Sequence, residues 1–489
     1  MKFRSLVLVV VVVGVAAMAV RPSFDGDTWW HLRAGQWIVD NRQVPRVDPF
    51  SSTMSGRPWE YPGWLAQVVM LGFFRLGGLA GLTAFSALLI GAALLLLWPL
   101  LEGPLLLRAA VLLLAAAASA VYWAARPHLA SFTLATLFLW TLEQRRRGTR
   151  RRAVWLLPPA MALWVNLHGG FAIGFILLSM YLGGALLDLA AIPVRGRGSW
   201  SGAWRSRRRE IVSLGSVLLL CLAAGAINPH GPAILAYPFK TVSIPVLQDF
   251  IQEWKPPDLR AAQLLPFLVM LLSVIVALGF SRTAASVTDL ITVAGWTALA
   301  LVAVRHVPIF ALAAAPVIAR HGSAALSFRE GGPPSGEPAE ERRGLNAFLG
   351  AGLVLMVLAW TSLQVSPSRT ASQLHEQVPV AAVASLRQVD PRGNLFNDYN
   401  WGGYILWELY PAYATFVDGR TDVFSPEVFD DYLRLWAAQP GWEAAIERWE
   451  IGVVLLPPRS PLVGALDAAG WQENYRDEQA VVLLRPGPG

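Results

Sequence analysis

Apolar runs long enough to cross a bilayer recur along this chain, and they leave few folds open. They lie approximately at residues 3–20, 82–101, 108–124, 129–144, 153–168, 170–192, 211–227, 264–281, 285–304, 307–320 and 344–365. A hydrocarbon core about 30 Å thick takes roughly 20 helical residues. In lipid, only helices and closed barrels bond all their own backbone groups. The chain is therefore expected to be a polytopic α-helical membrane protein with about 11 transmembrane helices. Charged residues make up only 15% of the 489, against about a quarter in soluble domains. The net charge of +7 gives no reason to expect nucleic acid. The basic residues stand in tight groups between apolar runs, which is the positive-inside pattern. The single cysteine, Cys221, lies inside an apolar run, which excludes a disulfide framework and reads as a small core residue.

Charge also sets the expected sidedness. Lys2 and Arg4 precede the first run and place the N-terminus in the cytoplasm. That run ends in Ala17-Met18-Ala19, a passable cleavage site, but the many later spans favour its retention as a membrane helix. The apolar piece Gly63 to Leu76 is short and carries Arg75. If it crossed, the clusters Arg145 to Arg152 and Arg205 to Arg209 would both fall outside. If it lies in the interface, both fall inside. The first external loop, 21–81, is thus expected to hold two in-plane helices, Thr28 to Val39 and Gly63 to Leu76. Residues 1–365 read as the membrane domain, with a flexible cytoplasmic loop at 320–343 that contains Glu330 to Gly336. At 366–489 the apolar runs shorten and charges rise. Strands are expected at 393–398, 414–420, 451–456 and 479–484, and helices at 399–409, 426–438 and 441–449. Their alternation predicts a small extracytoplasmic α/β domain with its own core and some parallel pairing.

The stretch Phe24-Asp25-Gly26-Asp27-Thr28-Trp29-Trp30-His31-Leu32-Arg33 directly follows the first span. Tryptophans concentrate at membrane interfaces, whereas carboxylates avoid that zone unless paired or used. One reading is an anchoring belt without chemistry. The other is the polar rim of an active site, with Asp25 and Asp27 at the N-terminal end of an in-plane helix. There the helix dipole would keep Asp27 ionised at neutral pH. Two close carboxylates bind a divalent cation or a basic partner, or let one act as a base.

Other polar residues gather at span ends assigned to the same side. They are Arg126 and His128, Asn166 and His168, His230, and Arg305 and His306. Arginine offers two parallel donors to phosphate, and histidine titrates near neutrality. Asp48 and Glu60 lie in the first loop. Asp418-Gly419-Arg420-Thr421-Asp422 reads first as an internal ion pair, and Gly402-Gly403 is not a nucleotide loop. No Walker sequence, dinucleotide fingerprint or metal-spaced Cys/His set occurs.

This layout resembles the GT-C superfamily of membrane glycosyltransferases. Asp27 to Arg33 is similar to the Asp-Pro-aromatic-aromatic-x-x-Arg stretch of oligosaccharyltransferase catalytic subunits, and Tyr61-Pro62-Gly63 also resembles their first loop. Arg126-Pro127-His128 stands where protein mannosyltransferases and aminoarabinose transferases carry a second polar motif. Asn397 to Tyr404 loosely resembles the Trp-Trp-Asp-Tyr-Gly signature. The tryptophans are missing before Asp398, so peptide binding is not carried over. In layout the chain is most similar to a bacterial branch of the superfamily. The resemblance implies transfer of a sugar from a polyprenyl-phosphate carrier to an extracytoplasmic acceptor.

On this reading Asp27 is the base, supported by Asp25 and Asp48. His31, Arg33, Glu60, Arg126, His128, Asn166, His168, Arg305 and His306 are candidate substrate-binding residues. A divalent cation such as Mg or Mn at Asp25 and Asp27 is compatible but not required. The rival readings are a transporter or flippase of envelope lipids, which Asp188 and Asp289 near apolar runs would serve, and a non-catalytic envelope assembly protein.

Overall fold

The computed structural model describes residues 1–21, 25–194, 200–244, 251–326, 342–389 and 393–486. The stretch Glu330 to Gly336, expected to be flexible, and Phe24 lie outside the described residues. The N-terminal part is helical: α1 (Phe3–Ala19), α2 (Gly26–Asn41), α3 (Trp64–Leu97), α4 (Leu105–Ser119), α5 (His128–Arg146), α6 (Leu157–Trp164), α7 (Ala172–Val194), α8 (Trp200–Gly225), α9 (Tyr237–Val242), α10 (Leu265–Phe280), α11 (Val287–Val302), α12 (Val307–Leu326) and α13 (Arg343–Gln364).

Among the described residues, six helical stretches are long and apolar enough to cross a membrane. They begin at Trp64, Leu105, Gly169, Ala262, Val304 and Arg343. Phe3–Ala19 and Val287–Val302 are apolar but shorter. The remaining expected spans fall on α5, which ends in Glu143, Arg145 and Arg146, on α8, whose first turns carry Arg205 to Arg209, and on α6. α6 has only eight residues. Pro158 and Pro159 lack backbone donors, so the chain enters it through a 3-10 turn at Arg151–Leu156.

α3 breaks at Gly77 (φ −150°) and Gly78 (φ 56°, ψ −136°). Only glycine adopts the second pair of angles readily. The bend also brings Gly81 onto the carbonyl of Phe73, 2.0 Å from where a Cβ would stand. The expected Gly63 to Leu76 helix and the following span are thus two arms joined at a glycine hinge.

The bundle core is aromatic and aliphatic, with Phe138, Trp164, Phe267, Trp296 and Phe310 fully buried beside the free Cys221. At one end of it, Glu143 and Asp289 converge with two arginines. Arg320 reaches both carboxylates at 2.6 Å, and Arg146 reaches them at 3.0 and 2.9 Å. His128 begins the helix that Arg146 ends, so the two groups lie about 27 Å apart at 1.5 Å per residue. The residues considered below sit at the His128 end.

Beyond α13 come α14 (Pro367–Gln377), α15 (Val380–Leu386), β1 (Asn394–Asn397), α16 (Gly402–Leu409), α17 (Pro426–Trp436), α18 (Trp442–Arg448), β2 (Ile451–Leu456), α19 (Pro461–Ala468), β3 (Gln472–Arg476) and β4 (Val481–Leu484). The sheet order is β1-β2-β4-β3, with β1 and β2 parallel and the other pairs antiparallel. β2 is buried along its whole length, as its continuous apolar run predicts. β3 is a polar, mostly exposed edge strand without an apolar signal, and the sequence pattern misses it.

The strand expected at 414–420 does not form. Phe416 and Val417 are both fully buried, and the backbone there is satisfied by neighbours instead of a ladder. Asn397 donates to Val417 O at 2.9 Å and accepts from Phe416 N, while Ser52 and Thr53 of the first loop bond to Thr415 and Phe416. The apolar core extends beyond the expected 366–489 boundary in the same way. Trp30, Ala34, Phe50 and Trp59 pack with Phe396, Phe416 and Phe424, while Trp29 and Leu32 pack with Tyr404, Ile405 and Leu409. The glycine pair Gly402-Gly403 permits this closeness. A Cβ on Gly403 would stand 2.1 Å from Gly26 O, and one on Gly26 would stand 2.4 Å from Asn400 O.

Candidate active site

α2 begins with a reciprocal cap. The Asp25 carboxylate accepts from the backbones of Asp27 (3.1 Å) and Thr28 (3.2 Å), and the Thr28 hydroxyl accepts from Asp25 N at 3.1 Å. Thr28 also donates to Ala125 O at 3.2 Å, which draws the α4–α5 connection onto the helix start. Arg126 follows directly. Its Nη1 lies 2.5 Å from Asp27 Oδ2, its Nη2 3.3 Å from Glu253 Oε2, and its Nε 3.1 Å from Asp25 Oδ2. The last contact is an ion pair without hydrogen-bond alignment. One guanidinium therefore gathers three carboxylates from two distant segments, the start of α2 and the Glu253 segment.

Burial pushes the Asp27 carboxyl up to about 7, and the Asp25 and Glu253 charges add to the rise while Arg126 opposes it. The expectation of full ionisation from the helix dipole is corrected here. Loss of water outweighs the dipole, and the group titrates near neutrality. Burial works against the charge of Arg126, but Asp25, Glu253 and Asp27 hold its pKa well above the usual value. Burial, with Arg126 beside them, holds His31 and His128 well below the usual histidine range, so both rings are neutral.

Asp27, Arg126, Glu253, His31 and His128 line a cavity with His168, Tyr61, Tyr122, Tyr237, Trp254, Arg305, Tyr399, Gly419, Thr421 and Asp422. His168 accepts from Gly170 N at 3.0 Å and lies 2.8 Å from the Ser131 hydroxyl. Arg305 rests over the Trp254 ring at 4.0 Å, and among the described residues no carboxylate pairs with it. The Lys255 carbonyl accepts from Val304 N at 3.0 Å, which ties the Glu253 segment to Arg305. A second cavity adjoins the same group. Asp27, Arg126, Glu253 and Tyr399 line both, and Asp25, Asn400, Phe429 and Tyr432 line only the second.

The other expected residues lie elsewhere. Asp48 is fully buried and lines neither cavity. It pairs with Arg420, which also holds Asp418 at 2.7 Å, and it accepts from Phe50 N at 2.9 Å. Burial opposes its charge, yet Arg420 and Ser51 hold its carboxyl below the usual range. It pins the first loop to the C-terminal segment. Arg33 stacks on Tyr410 at 4.6 Å, and Glu60 pairs with Lys240 at 2.6 Å on the surface. Asn166 accepts from Trp64 at 2.7 Å and donates to Ile227 O at 2.6 Å, so it ties α3 to the end of α8. His306 and His230 also lie outside both cavities. Three of the five histidines assigned to one side, His31, His128 and His168, do converge.

Glu253, Tyr122, Tyr237, Tyr399, Thr421 and Asp422 were missed. Glu253 carried a signal as an acidic residue before Trp254 in an external loop, Thr421 and Asp422 stood in the stretch read first as an internal ion pair, and Tyr399 stood within Asn397 to Tyr404. Among the described residues no group of three or more His, Cys, Asp or Glu side chains is spaced to hold a metal ion. The three carboxylates converge on the Arg126 guanidinium instead.

No protein-family model matches the sequence, and no curated protein matches it. Solved structures do match in fold. The archaeal oligosaccharyltransferase AglB from Archaeoglobus fulgidus, in complex with an inhibitory peptide and a dolichol-phosphate, superposes with a TM-score of 0.54 and 11% identity over 92% of this chain and 69% of that one. ArnT from Cupriavidus metallidurans gives 0.52 and 14% over 98% and 96%. The arabinofuranosyltransferase AftD from Mycobacteria gives 0.50 and 15% over 99% of this chain and 42% of that one. These neighbours are GT-C glycosyltransferases, and the chain has their fold.

Proposed function

We propose that this GT-C-fold chain is a multi-pass glycosyltransferase of the plasma (inner) membrane, with its N-terminus in the cytoplasm and its site facing outward. It moves a sugar from a polyprenyl-phosphate-linked donor to an extracytoplasmic acceptor, whether glycan, lipid or protein. The observation that carries this reading is the shared wall, in which Asp27, held by Arg126, faces two cavities at once. Ionised Asp27 takes the proton of the acceptor hydroxyl. The acceptor oxygen bonds to the anomeric carbon, the bond from that carbon to the phosphate oxygen breaks, and polyprenyl phosphate leaves. Arg305, without a carboxylate partner among the described residues, supplies donors to the leaving phosphate. His128 and His168 supply further hydrogen-bonding groups in the same cavity. Arg126 orients Asp27 and provides the positive charge that a divalent cation would otherwise bring, so transfer is expected to survive chelators.

The AglB structure holds a dolichol-phosphate, which supports a lipid-phosphate donor for a chain of the same fold. The transporter reading is weakened by the paired state of the other buried charges. Asp289 lies between Arg146 and Arg320, and Asp188 faces Arg207 at 3.5 Å. A deletion strain tests the proposal. It should accumulate a lipid-linked sugar that disappears on complementation, and an unchanged lipid profile would overturn it.

A further inference from the structure

Besides Asp27 and Glu253, which Arg126 holds, the cavity contains a third carboxylate, Asp422, for which the transfer chemistry has no use. Its loop is rigidly supported. Asp418 and Arg420 are fully buried and locked to Asp48. The next two residues, Thr421 and Asp422, line the cavity. Asp422 accepts from the Tyr237 hydroxyl at 3.2 Å, and among the described residues no arginine or lysine pairs with it. Thr421 is hydrogen-bonded to the Tyr399 hydroxyl at 2.6 Å. The loop also touches the base, since a Cβ on Gly419 would stand 1.7 Å from Asp27 Oδ1. The cavity thus combines two chemistries. Arg305 suits a phosphate. Asp422, Thr421 and the tyrosine hydroxyls suit the hydroxyl groups of a sugar.

We infer that Asp422 binds hydroxyl groups of the donor's sugar, so that the C-terminal segment determines which sugar is transferred. This rests on the donor reading above. A carboxylate accepts several hydrogen bonds and has none to give, so it spans a pair of neighbouring sugar hydroxyls. The charge makes each of those bonds stronger than a neutral one. A site built to bond a hydroxyl also rejects an analogue lacking it far better than an apolar pocket does. A sugar held there lies beside Asp27, where the acceptor must arrive.

The test uses the full chain in lipid nanodiscs and two kinds of probe. One is undecaprenyl phosphate alone. The other is a panel of undecaprenyl-phosphate-linked hexoses and pentoses. The wild type should bind one sugar-loaded lipid best. Asp422→Asn should bind bare undecaprenyl phosphate as the wild type does, but lose about tenfold or more for the preferred sugar-lipid, with a flattened preference. An unchanged preference overturns the inference. An equal loss for both kinds of probe also overturns it, because that marks a structural role. If Asp422→Asn fails to fold, Asp422→Glu retains the charge and moves it. A re-ordered panel with unchanged affinity for the bare phosphate then supports the inference, and an unchanged order overturns it. A wild type that binds no sugar-loaded lipid better than the bare phosphate removes the donor reading itself.

Discussion

Arg126 Nη1 stands 2.5 Å from Asp27 Oδ2, and both residues face two cavities. The pair joins the first loop to the α4–α5 connection, and Glu253 joins it from the segment before α10. A carboxylate in this position is buried enough to be basic and open enough, at 28% side-chain exposure, to meet a substrate. That combination separates it from Asp48, which is fully buried against Arg420.

Replacing Asp27 with Asn keeps its size and removes its basicity. The variant should express and insert normally, while transfer from the lipid-linked donor falls about a hundredfold or more. Asp40→Asn on the same helix changes an exposed residue bonded to Gln36 and should be nearly silent, within about 0.5 kcal/mol in stability. Wild-type turnover in Asp27→Asn would return the stretch to an anchoring belt.

The pH dependence follows from the raised Asp27 carboxyl. Below about 7 it is protonated and cannot act as a base, so the rate should climb with pH through that value. Glu253→Gln removes a negative charge that raises the carboxyl, so the acidic limb should move to lower pH. A limb that stays in place would separate it from Asp27. The sign for stability is the reverse of that for activity. The folded state holds the Asp27 proton more tightly than the unfolded chain, so this group lowers stability as pH rises from the ordinary carboxylate range to about 7.

Gly419→Ala should damage the site from the C-terminal side. The new Cβ would meet Asp27 Oδ1 at 1.7 Å and Trp30 Nε1 at 3.0 Å, so the carboxylate must leave its place. Turnover should drop about tenfold or more, the scale expected when a reacting group is misplaced. Gly464→Ala on α19 meets nothing within 4 Å and serves as a silent control. Comparable turnover in the two variants would mean that the 418–422 loop does not back the base.

Removing the shared arginine of the buried Asp48–Arg420–Asp418 group leaves two buried carboxylates without a counter-charge. Arg420→Ala should destabilise the protein by about 3–5 kcal/mol, visible as a lower unfolding midpoint of the purified protein. A shift no larger than that of a surface substitution would show that the pin is dispensable.

The membrane class was legible in the sequence because hydrophobicity is local. A run such as Leu265 to Phe280 has to be a buried or lipid-facing helix wherever it sits. The cap at Asp25, the buried strand Ile451–Leu456 and the glycine break at Gly77-Gly78 are likewise decided within a few residues. The acidic stretch at Asp25 and Asp27 stood out because carboxylates beside tryptophans are costly unless used, and Arg126 was visible at a span end. Local signals ranked Asp27 above Asp48 but left both in the site, and they left Arg33 there beside Arg126 and Arg305, because residue type and position along the chain do not show which groups meet. They gave no weight to Tyr237, and they read the stretch that holds Asp422 first as an internal ion pair. Tertiary structure decided between them. Packing Trp30 and Trp59 against Phe416 and Phe424 brings the 418–422 loop onto α2. Burial then raises one carboxylate to neutrality, while Arg420 holds the other in its charged form. A pKa depends on which charges and how little water lie nearby, and here those neighbours come from segments far apart in the chain.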